Sequence, residues 1–220
     1  MFPRRVGPKS LVPLGGSSLL ARLAGALDGI HTSAKPPIVI IDAQDRETPA
    51  AVDSLLPAAR VVRQEQPDGV ANALVLAEPF MDEVVCAVLG DMFIDGAFAA
   101  FPRAPALLFW REAAAAETGK NFGLSIDAAG VVRAVIEKPV DCDGLQCGMG
   151  VYVLTRSIIA GFCGAPIDAR TGERGITTAI QAAIDAGHTF AAVPFSGYYN
   201  NVNSLADVAA VEHHLVPVGR

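Results

Sequence analysis

Long apolar runs, clustered basic residues and paired cysteines are all missing from this chain, and each absence excludes a class of protein. No stretch reaches the roughly 18 uninterrupted apolar residues that a membrane-spanning helix requires. The 17 Lys and Arg residues are outnumbered by 23 Asp and Glu residues and form no cluster, which argues against a surface for nucleic acid or for an anionic membrane. We therefore expect small molecules or other proteins as partners.

Cysteine is scarce, and the four cysteines contain no CxxC pair: Cys86, Cys142, Cys147 and Cys163. A zinc or redox motif needs close, paired spacing, so we interpret these residues as thiols in a reducing cytoplasm. A signal peptide is not predicted either, because residues 1–5 are followed by Gly7, Pro8 and Lys9 rather than by an apolar run. These features predict a cytoplasmic protein without zinc.

What the chain does contain is enough apolar sequence for one large core. It has 220 residues, 51% of them hydrophobic, and we expect a single domain over residues 1–220. Patterns typical of helices and strands alternate through the first half. The predicted helices are 17–27, 49–56, 70–80 and a region near 96–101, and the predicted strands are 38–41, 60–63, 84–89 and 106–111. This alternation is typical of α/β proteins.

The second half begins with a predicted β-hairpin, in which residues 123–126 and 131–136 flank an Ala-Gly turn. Beyond it we expect strands at 146–154 and 190–194 and helices at 157–162, 176–186 and 204–215. The whole pattern predicts a Rossmann-like, mostly parallel mixed sheet with helices on both faces and a β-hairpin insertion. Ligands of such folds bind at the carboxyl ends of the strands.

Residues 84–95, VVCAVLGDMFID, bear most directly on function. An apolar run that ends in Gly90 and Asp91 is typical of a buried strand that delivers a carboxylate to the carboxyl edge of a sheet. Asp91 is therefore the first candidate for catalytic chemistry. The alternative is a loop aspartate that caps the next turn.

Seven motifs occur in the order seen in sugar-1-phosphate nucleotidyltransferases: PKSLVPLGG, QEQPDGVANAL, LGD, FGLSID, IEKP, GMGVYVL and GYYNNVNSLADV. The chain resembles the thymidylyltransferase and uridylyltransferase group of that family over nearly its whole length. The resemblance implies the nucleotide-diphospho-sugar transferase fold. It also implies magnesium-dependent transfer of a nucleotidyl group from a nucleoside triphosphate to a sugar 1-phosphate, which gives a nucleotide-sugar and pyrophosphate. Such a reaction needs positioning and charge neutralisation more than a covalent nucleophile.

The resemblance implies a group of residues that handle phosphate and Mg²⁺. Lys9 matches a lysine that points its ammonium at phosphate, although a solvated surface lysine is the usual alternative. Asp91 would bind Mg²⁺, because hard cations take carboxylate oxygen. The second metal ligand falls in residues 200–203, where thymidylyltransferases have Asp and uridylyltransferases have Asn. We expect Asn201 or Asn203 in that role, and a structural role for at least one asparagine of this loop.

A second group would bind the base. Gln64 matches the residue that reads the base edge, for which an amide offers both a donor and an acceptor. Gln66 is the alternative, but Gln64 has the better spacing to the turn at 67–69. Gly69 matches the position where the backbone approaches the base, although a glycine there is also expected simply for the turn.

A third group would bind the sugar phosphate. Glu137 and Lys138 match the pair that holds the sugar hydroxyls and the phosphate. Neighbouring residues of a strand point to opposite faces, so both contact one ligand only if the strand ends there, as Pro139 predicts. The alternative is a surface salt bridge at a strand end. Weaker matches are the sugar-contact positions Gly123 and Glu173 and a phosphate contact from Arg170 or Arg174.

The start of the chain departs from the family pattern. The family opens with an apolar strand and a glycine-rich loop whose backbone amides cradle the triphosphate. Residues 1–5 begin where that loop should finish. Loss of a central parallel strand predicts unpaired backbone groups on its neighbours and an open slot in the core. Three explanations stay open, namely a start placed at an internal methionine, which we favour, a decayed paralogue, and a protein that works without triphosphate binding.

Three hypotheses about function follow. The first is the nucleotidyltransferase itself, with a nucleoside triphosphate and a sugar 1-phosphate as partners. The second is a binding or regulatory module that keeps a nucleotide-sugar pocket without turnover. The third is a structural paralogue that acts through subunit contacts, as a homo-oligomer would. The sequence leaves the base, the sugar and the oligomeric state open.

Overall fold

The structure, a computed structural model, describes residues 7–27, 35–98, 104–169 and 172–216. The atypical start of the chain, Arg170 and the last residues of the helix predicted near 96–101 lie outside these ranges. Within them, strands and helices alternate through the first half and a hairpin opens the second half, so the predicted α/β class is confirmed. No helix of the described ranges is long and apolar enough to cross a membrane.

The first half begins with a small antiparallel pair, in which β1 (Pro13–Leu14) pairs with β2 (Ser17–Ser18). Helix α1 follows at Leu19–Leu27, and the Ser18 hydroxyl accepts from the N–H of Ala21, as expected for a residue that caps this helix. A second, parallel pair is formed by β3 and β4, with Asp42 opposite Gln64 at its end. The remaining elements of this part are β3 (Ile38–Asp42), α2 (Thr48–Leu55), β4 (Arg60–Gln64) and α3 (Val70–Ala77).

The main sheet is built from the strands that follow, which are β5 (Val84–Val88), β6 (Met92–Phe98), β7 (Leu107–Arg111), β8 (Phe122–Ile126), β9 (Val132–Glu137), β10 (Gln146–Thr155) and β11 (Ala191–Asn201). Its order is β6-β11-β7-β10-β8-β9, and β5 also pairs with β10. Strands β5, β7, β8 and β11 point in one direction, because β10 runs antiparallel to the first three and β11 runs parallel to β7. Strands β6, β9 and β10 run in the opposite direction, so the sheet is mixed, as predicted.

Helices cover both faces of this sheet. The other helices are α4 (Ala115–Thr118), α5 (Arg156–Gly161), α6 (Ile176–Asp185) and α7 (Leu205–Leu215). Along β7, Leu108 packs with α3, α5 and α6, whereas Leu107 and Phe109 pack with α1, because alternate residues of a strand face opposite sides. The predicted hairpin is confirmed as β8–β9, with Leu124 opposite Val135.

One predicted helix is wrong, since residues 92–98 form a strand where the sequence indicated a helix near 96–101. Strand β6 pairs with β11 over its full length, and Gly96 lies opposite Gly197. The two backbones approach so closely that a Cβ on Gly96 would lie 2.6 Å from the carbonyl oxygen of Ser196. The same pairing extends β11 to Asn201, well beyond the predicted strand at 190–194.

The expectation of a buried strand at residues 84–89 is also wrong. Val84 is 53% exposed and Cys86 is exposed as well. Strand β5 pairs only with β10 in the part of the chain that the structure describes, and β3 pairs only with β4, so each strand has one free edge. A cavity of about 260 Å³ lies beside β3 and is lined by residues that include Ile40 and Gly90. The predicted open slot in the core stays a prediction.

Candidate functional site

Three of the predicted residues meet where β5 ends. Lys9 lies in the short helical turn Lys9–Leu11, and its Nζ donates to Oδ1 of Asn203 at 2.6 Å. The same Nζ lies 3.9 Å from Oδ2 of Asp91. A backbone contact holds the arrangement, because the N–H of Val202 donates to the carbonyl of Asp91 at 2.7 Å. Three distant segments of the chain thus bring an ammonium, a carboxylate and an amide together.

Asp91 is electrostatically unusual in this cluster. Burial raises the pKa of its carboxyl above the ordinary value, and the Lys9 ammonium opposes that rise. Burial disfavours the charged form of a carboxyl, so a further cation beside Asp91 would stabilise the ionised carboxylate. Asp91 therefore lies in surroundings that favour the binding of a cation.

The oxygen atoms of this cluster fit Mg²⁺. The carboxylate of Asp91 and the amide oxygen of Asn203 already face one cation, which is the ammonium of Lys9. Mg²⁺ takes hard oxygen ligands and usually only one or two from the protein, with water and substrate phosphate completing its shell. Among the described residues no group of three or more His, Cys, Asp and Glu side chains could hold a metal ion by itself. A Mg²⁺ ion at these oxygen atoms would therefore need further ligands, such as water or phosphate.

Asn201 and Asn203 have different surroundings. Asn203 is exposed and contacts Lys9. Asn201 is half-buried: the hydroxyl of Tyr199 donates to its Oδ1 at 2.6 Å, and its Nδ2 donates to the side chain of Asn121. Of the two predicted metal ligands, the structure brings Asn203 beside the charged residues and engages both ends of the Asn201 amide within the protein.

Gln64 lies at the end of β4, and its amide nitrogen is engaged in the following turn. Nε2 donates to Oδ1 of Asp68 at 2.7 Å and to the carbonyl of Gly69 at 3.2 Å. No residue of the described ranges donates to its amide oxygen, which is the atom that could accept a hydrogen bond from a base. The structure thus places Gln64 as an acceptor at the carboxyl end of a strand.

Gly69 meets a steric requirement of the fold. Its φ is 109°, and a Cβ there would lie 2.3 Å from the carbonyl oxygen of Arg174. The loop before α6 closes on this point, because the N–H of Arg174 donates to the carbonyl of Asp68 at 2.7 Å. The Arg174 side chain is engaged as well, with Nε donating to the carbonyl of Ala165 at 2.8 Å and Nη1 donating to Asn72. Arg174 therefore has structural contacts, and the contact with a base or phosphate at this loop stays a prediction.

The predicted strand end at Pro139 is confirmed, because β9 ends at Glu137. Lys138 has a φ of 45°, the left-handed region that residues other than glycine rarely adopt. This turn brings neighbouring side chains together, with Nζ of Lys138 lying 3.7 Å from Oε1 of Glu137. Glu137 also accepts from the hydroxyl of Thr177 at 3.1 Å. Both side chains of the pair are exposed at one sheet edge, where a single ligand could contact them.

The two weaker sugar-contact positions lie in different places. Gly123 is in β8 opposite Ile136, and a Cβ there would lie 2.7 Å from the Leu145 side chain, so a larger residue would displace that side chain. Glu173 is exposed in the loop before α6, and its carbonyl accepts from the N–H of Asp168 at 2.9 Å. Their contacts with a sugar stay predictions.

Sequence analysis missed two residues that the structure places beside the site. The hydroxyl of Tyr199 is buried between the N–H of Gly150 at 3.3 Å and Asn201, and Asn121 contacts Asn201 from the other side. Asn121 directly precedes the FGLSID motif, and Tyr199 lies inside the GYYNN motif. Their positions within and beside recognised motifs are the one signal that could have identified them.

Known proteins resemble this chain in sequence and in fold. A sequence model of the nucleotidyl transferase family matches residues 5–214. Glucose-1-phosphate thymidylyltransferase from Streptomyces griseus is 27% identical over 221 residues, which cover 92% of this chain and 59% of that relative. The chain thus spans less than two thirds of the length of this curated relative.

Solved structures share the fold. A Bacillus anthracis protein assigned as a glucose-1-phosphate thymidylyltransferase, solved with sucrose, gives a TM-score of 0.81 at 15% identity, covering 100% of this chain and 92% of its own. A UDP-glucose pyrophosphorylase complexed with UDP-glucose gives a TM-score of 0.77 at 16% identity, covering 94% of this chain and 90% of its own. The inositol-1-phosphate CTP transferase from T. maritima gives a TM-score of 0.76 at 16% identity, covering 99% of this chain and 91% of its own.

These likenesses confirm the fold that the seven motifs implied, and the family match extends over nearly the whole chain. The resemblance to sugar-1-phosphate nucleotidyltransferases, recognised from motif order alone, is confirmed with it. The chain belongs to the nucleotidyl transferase family.

Proposed function

We propose that the protein transfers a nucleotidyl group from a nucleoside triphosphate to a sugar 1-phosphate, giving a nucleotide-sugar and pyrophosphate. The observation that carries the proposal is the meeting of Lys9, Asp91 and Asn203 at the end of β5, in a chain of this family. The Streptomyces griseus relative is a glucose-1-phosphate thymidylyltransferase, which favours a hexose 1-phosphate as one substrate.

In the reaction, a phosphate oxygen of the sugar 1-phosphate attacks the α-phosphorus, and the bond to the leaving pyrophosphate breaks. A phosphate monoester has a second pKa of about 6, so the attacking oxygen is already ionised at neutral pH and needs no general base. The protein therefore contributes position and charge. Lys9 would donate to phosphate oxygens on the triphosphate side, and Lys138 would donate to the phosphate of the sugar.

Asp91 and Asn203, or Asn201, would hold Mg²⁺. When bound, the ion neutralises phosphate charge and fixes the triphosphate. The amide oxygen of Gln64 would accept from the imide N–H of uracil or thymine. Glu137 would accept from sugar hydroxyls, steadied by its contact with Thr177.

The setting of the reaction is proposed to be the cytoplasm. The four cysteines are free thiols, and free thiols suit a reducing compartment. Nucleoside triphosphates and sugar phosphates would be the partners, and neither nucleic acid nor a membrane surface is expected for a chain with net charge −6.

A second candidate is a module that binds a nucleotide-sugar without turnover. It is favoured by the predicted metal ligands, because Asp91 is a carboxylate whereas Asn201 and Asn203 offer amide oxygens, which carry no charge to attract Mg²⁺. This module would keep the contacts at Gln64, Glu137 and Lys138.

The two candidates are separated by turnover and binding measured side by side. Pyrophosphate release is followed with Mg²⁺ and a panel of nucleoside triphosphates and sugar 1-phosphates, and calorimetry records nucleotide-sugar binding. An enzyme releases pyrophosphate from at least one pair, and Asp91→Asn abolishes the release. Asp185→Asn is the matched control, because Asp185 lies on α6 and accepts from Gln181. Nucleotide-sugar binding without release from any pair would support the module instead.

A further inference from the structure

Asn121 contacts both groups of candidate residues. It directly precedes β8, and its backbone carbonyl accepts from the N–H of Lys138 at 2.8 Å. Its side-chain oxygen accepts from Nδ2 of Asn201, at the end of β11. One residue therefore contacts the sheet edge proposed for the sugar phosphate and the segment that lies beside Asp91.

The side chain of Asn201 is held by a chain of hydrogen bonds that runs in one direction. The hydroxyl of Tyr199 donates to Asn201, Asn201 donates to Asn121, and Nδ2 of Asn121 donates to the carbonyl of Glu117 at 2.9 Å. Each amide uses its oxygen as acceptor and its nitrogen as donor, so a rotation of either amide breaks bonds in a part-buried setting. Asn121 thus fixes the orientation of Asn201.

The two residues after Asn201 connect it to Asp91 and Lys9. The next residue, Val202, donates its N–H to the carbonyl of Asp91 at 2.7 Å, and the one after it, Asn203, accepts from Lys9 at 2.6 Å. A displacement of Asn201 therefore moves residues that are bonded to Asp91 and to Lys9.

The other contact of Asn121 supports a strained residue. Lys138 has a φ of 45°, which a residue with a Cβ keeps only where its surroundings hold it. The hydrogen bond from its N–H to Asn121 is one such contact. Asn121 thus helps to hold the backbone conformation of Lys138, which determines where the Lys138 side chain points.

We propose that Asn121 is a positioning residue. It sets the distance between the sugar phosphate, bound at Lys138, and the Mg²⁺ site proposed at Asp91. The inference rests on the proposed function. An attack at phosphorus requires the attacking oxygen and the phosphorus to be held in line, and a misplacement of about 1 Å costs on the order of 100-fold in rate.

The test removes the side chain while keeping the backbone contact. Asn121→Ala is expected to lower kcat for pyrophosphate release by roughly 10- to 100-fold and to raise the Mg²⁺ concentration needed for half-maximal rate, as loss of an orienting partner does. At saturating Mg²⁺ the KM for the nucleoside triphosphate should rise by a smaller factor than the fall in kcat, because the contacts of Gln64 are unchanged. Asn121→Asp keeps the acceptor for Asn201 but loses the donor to the carbonyl of Glu117, so it should recover only part of the rate.

Asn200→Ala is the matched control, since Asn200 adjoins Asn201 but its amide contacts Tyr198 at 3.4 Å. It should keep wild-type kinetics. Tyr199→Phe removes the donor at the other end of the Asn201 amide and should show the same loss in kcat, so it serves as the test variant if Asn121→Ala does not fold. Thermal unfolding of each variant establishes that the compared proteins are folded.

Calorimetry gives a readout that does not depend on turnover. Binding of UDP-glucose or dTDP-glucose in the presence of Mg²⁺ should weaken about 10-fold in Asn121→Ala and should not change in Asn200→Ala. A folded Asn121→Ala protein that matches the control in kcat, Mg²⁺ requirement and binding overturns this inference alone. A wild-type protein that neither releases pyrophosphate nor binds either nucleotide-sugar overturns the proposed function, and this inference with it.

Discussion

Lys9 and Asn203 lie 194 positions apart in the sequence, yet Nζ of the first donates to Oδ1 of the second at 2.6 Å. Asp91 lies 3.9 Å from the same ammonium. The contact joins the first described turn of the chain to the loop before its last helix, α7. The cluster therefore depends on the packing together of three segments that are far apart in the sequence.

The first prediction concerns Lys9. Lys9→Met should lower kcat/KM for pyrophosphate release by roughly 100-fold, because it removes the ammonium that would face the phosphates. Stability should change little, since the Lys9 side chain is 49% exposed. Lys35→Met is a close control, because Lys35 pairs with Asp82 at 2.8 Å and is 54% exposed. Equal activities of the two variants would contradict the role of Lys9.

The second prediction concerns pH and Asp91. Burial raises the pKa of this carboxyl above its ordinary value of 3.8. At a pH between the ordinary pKa and the raised pKa, the folded protein therefore binds more protons than the unfolded chain. The contribution of Asp91 to the free energy of unfolding therefore falls as pH rises through that window and stays lost above it. Asp91→Asn removes the titration, so the stability of the variant relative to wild type should increase with pH and then level off. Urea unfolding from about pH 4 to about pH 7 measures this difference, and a difference that declines as pH rises would contradict it.

The third prediction tests the exposure of β5. Val84 is 53% exposed, whereas Val151, on the neighbouring strand β10, is fully buried. Val84→Ala should change the free energy of unfolding by less than about 0.5 kcal/mol. Val151→Ala should lower the free energy of unfolding by about 2 kcal/mol, because it leaves a cavity in the packed core. Denaturant unfolding compares the two, and a large cost at Val84 would show that a further strand covers β5.

The fourth prediction uses the backbone of Lys138. Lys138→Ala keeps the positive φ with a Cβ present, whereas Lys138→Gly adopts it freely. The glycine variant should therefore be more stable than the alanine variant by about 1 kcal/mol in urea unfolding. Both variants lose the ammonium, so both should show a higher KM for the sugar 1-phosphate. An alanine variant as stable as the glycine variant would show that the backbone at this position is not strained.

Much of the fold was predictable because helix and strand periodicities are local. The hairpin β8–β9 and the strand end before Pro139 follow from turn residues only a few positions away. Strand β6 was missed because its pairing depends on Gly96 meeting Gly197, a contact between distant parts of the chain. The burial of β5 was predicted wrongly for a related reason, since burial depends on neighbouring strands rather than on the strand's own composition.

The candidate site was predictable as far as motif order allows. Lys9, Asp91 and Asn203 were named from motifs, and the structure brings them together. Asn121 was missed because its side chain acts through Asn201, 80 positions away. A hydrogen bond between residues so far apart has no periodicity or spacing that a sequence pattern could reveal. The organisation of residues 1–220 as a single domain stays a prediction.

The central claim is that this chain joins a nucleotide to a sugar phosphate. ³¹P NMR of the protein with Mg²⁺, nucleoside triphosphates and sugar 1-phosphates follows both products at once. We predict equal growth of a nucleotide-sugar diphosphate signal and of free pyrophosphate. In Lys9→Met both signals should grow roughly 100-fold more slowly at low substrate concentration. A spectrum of the folded wild-type protein in which neither signal grows with any substrate pair would contradict the account.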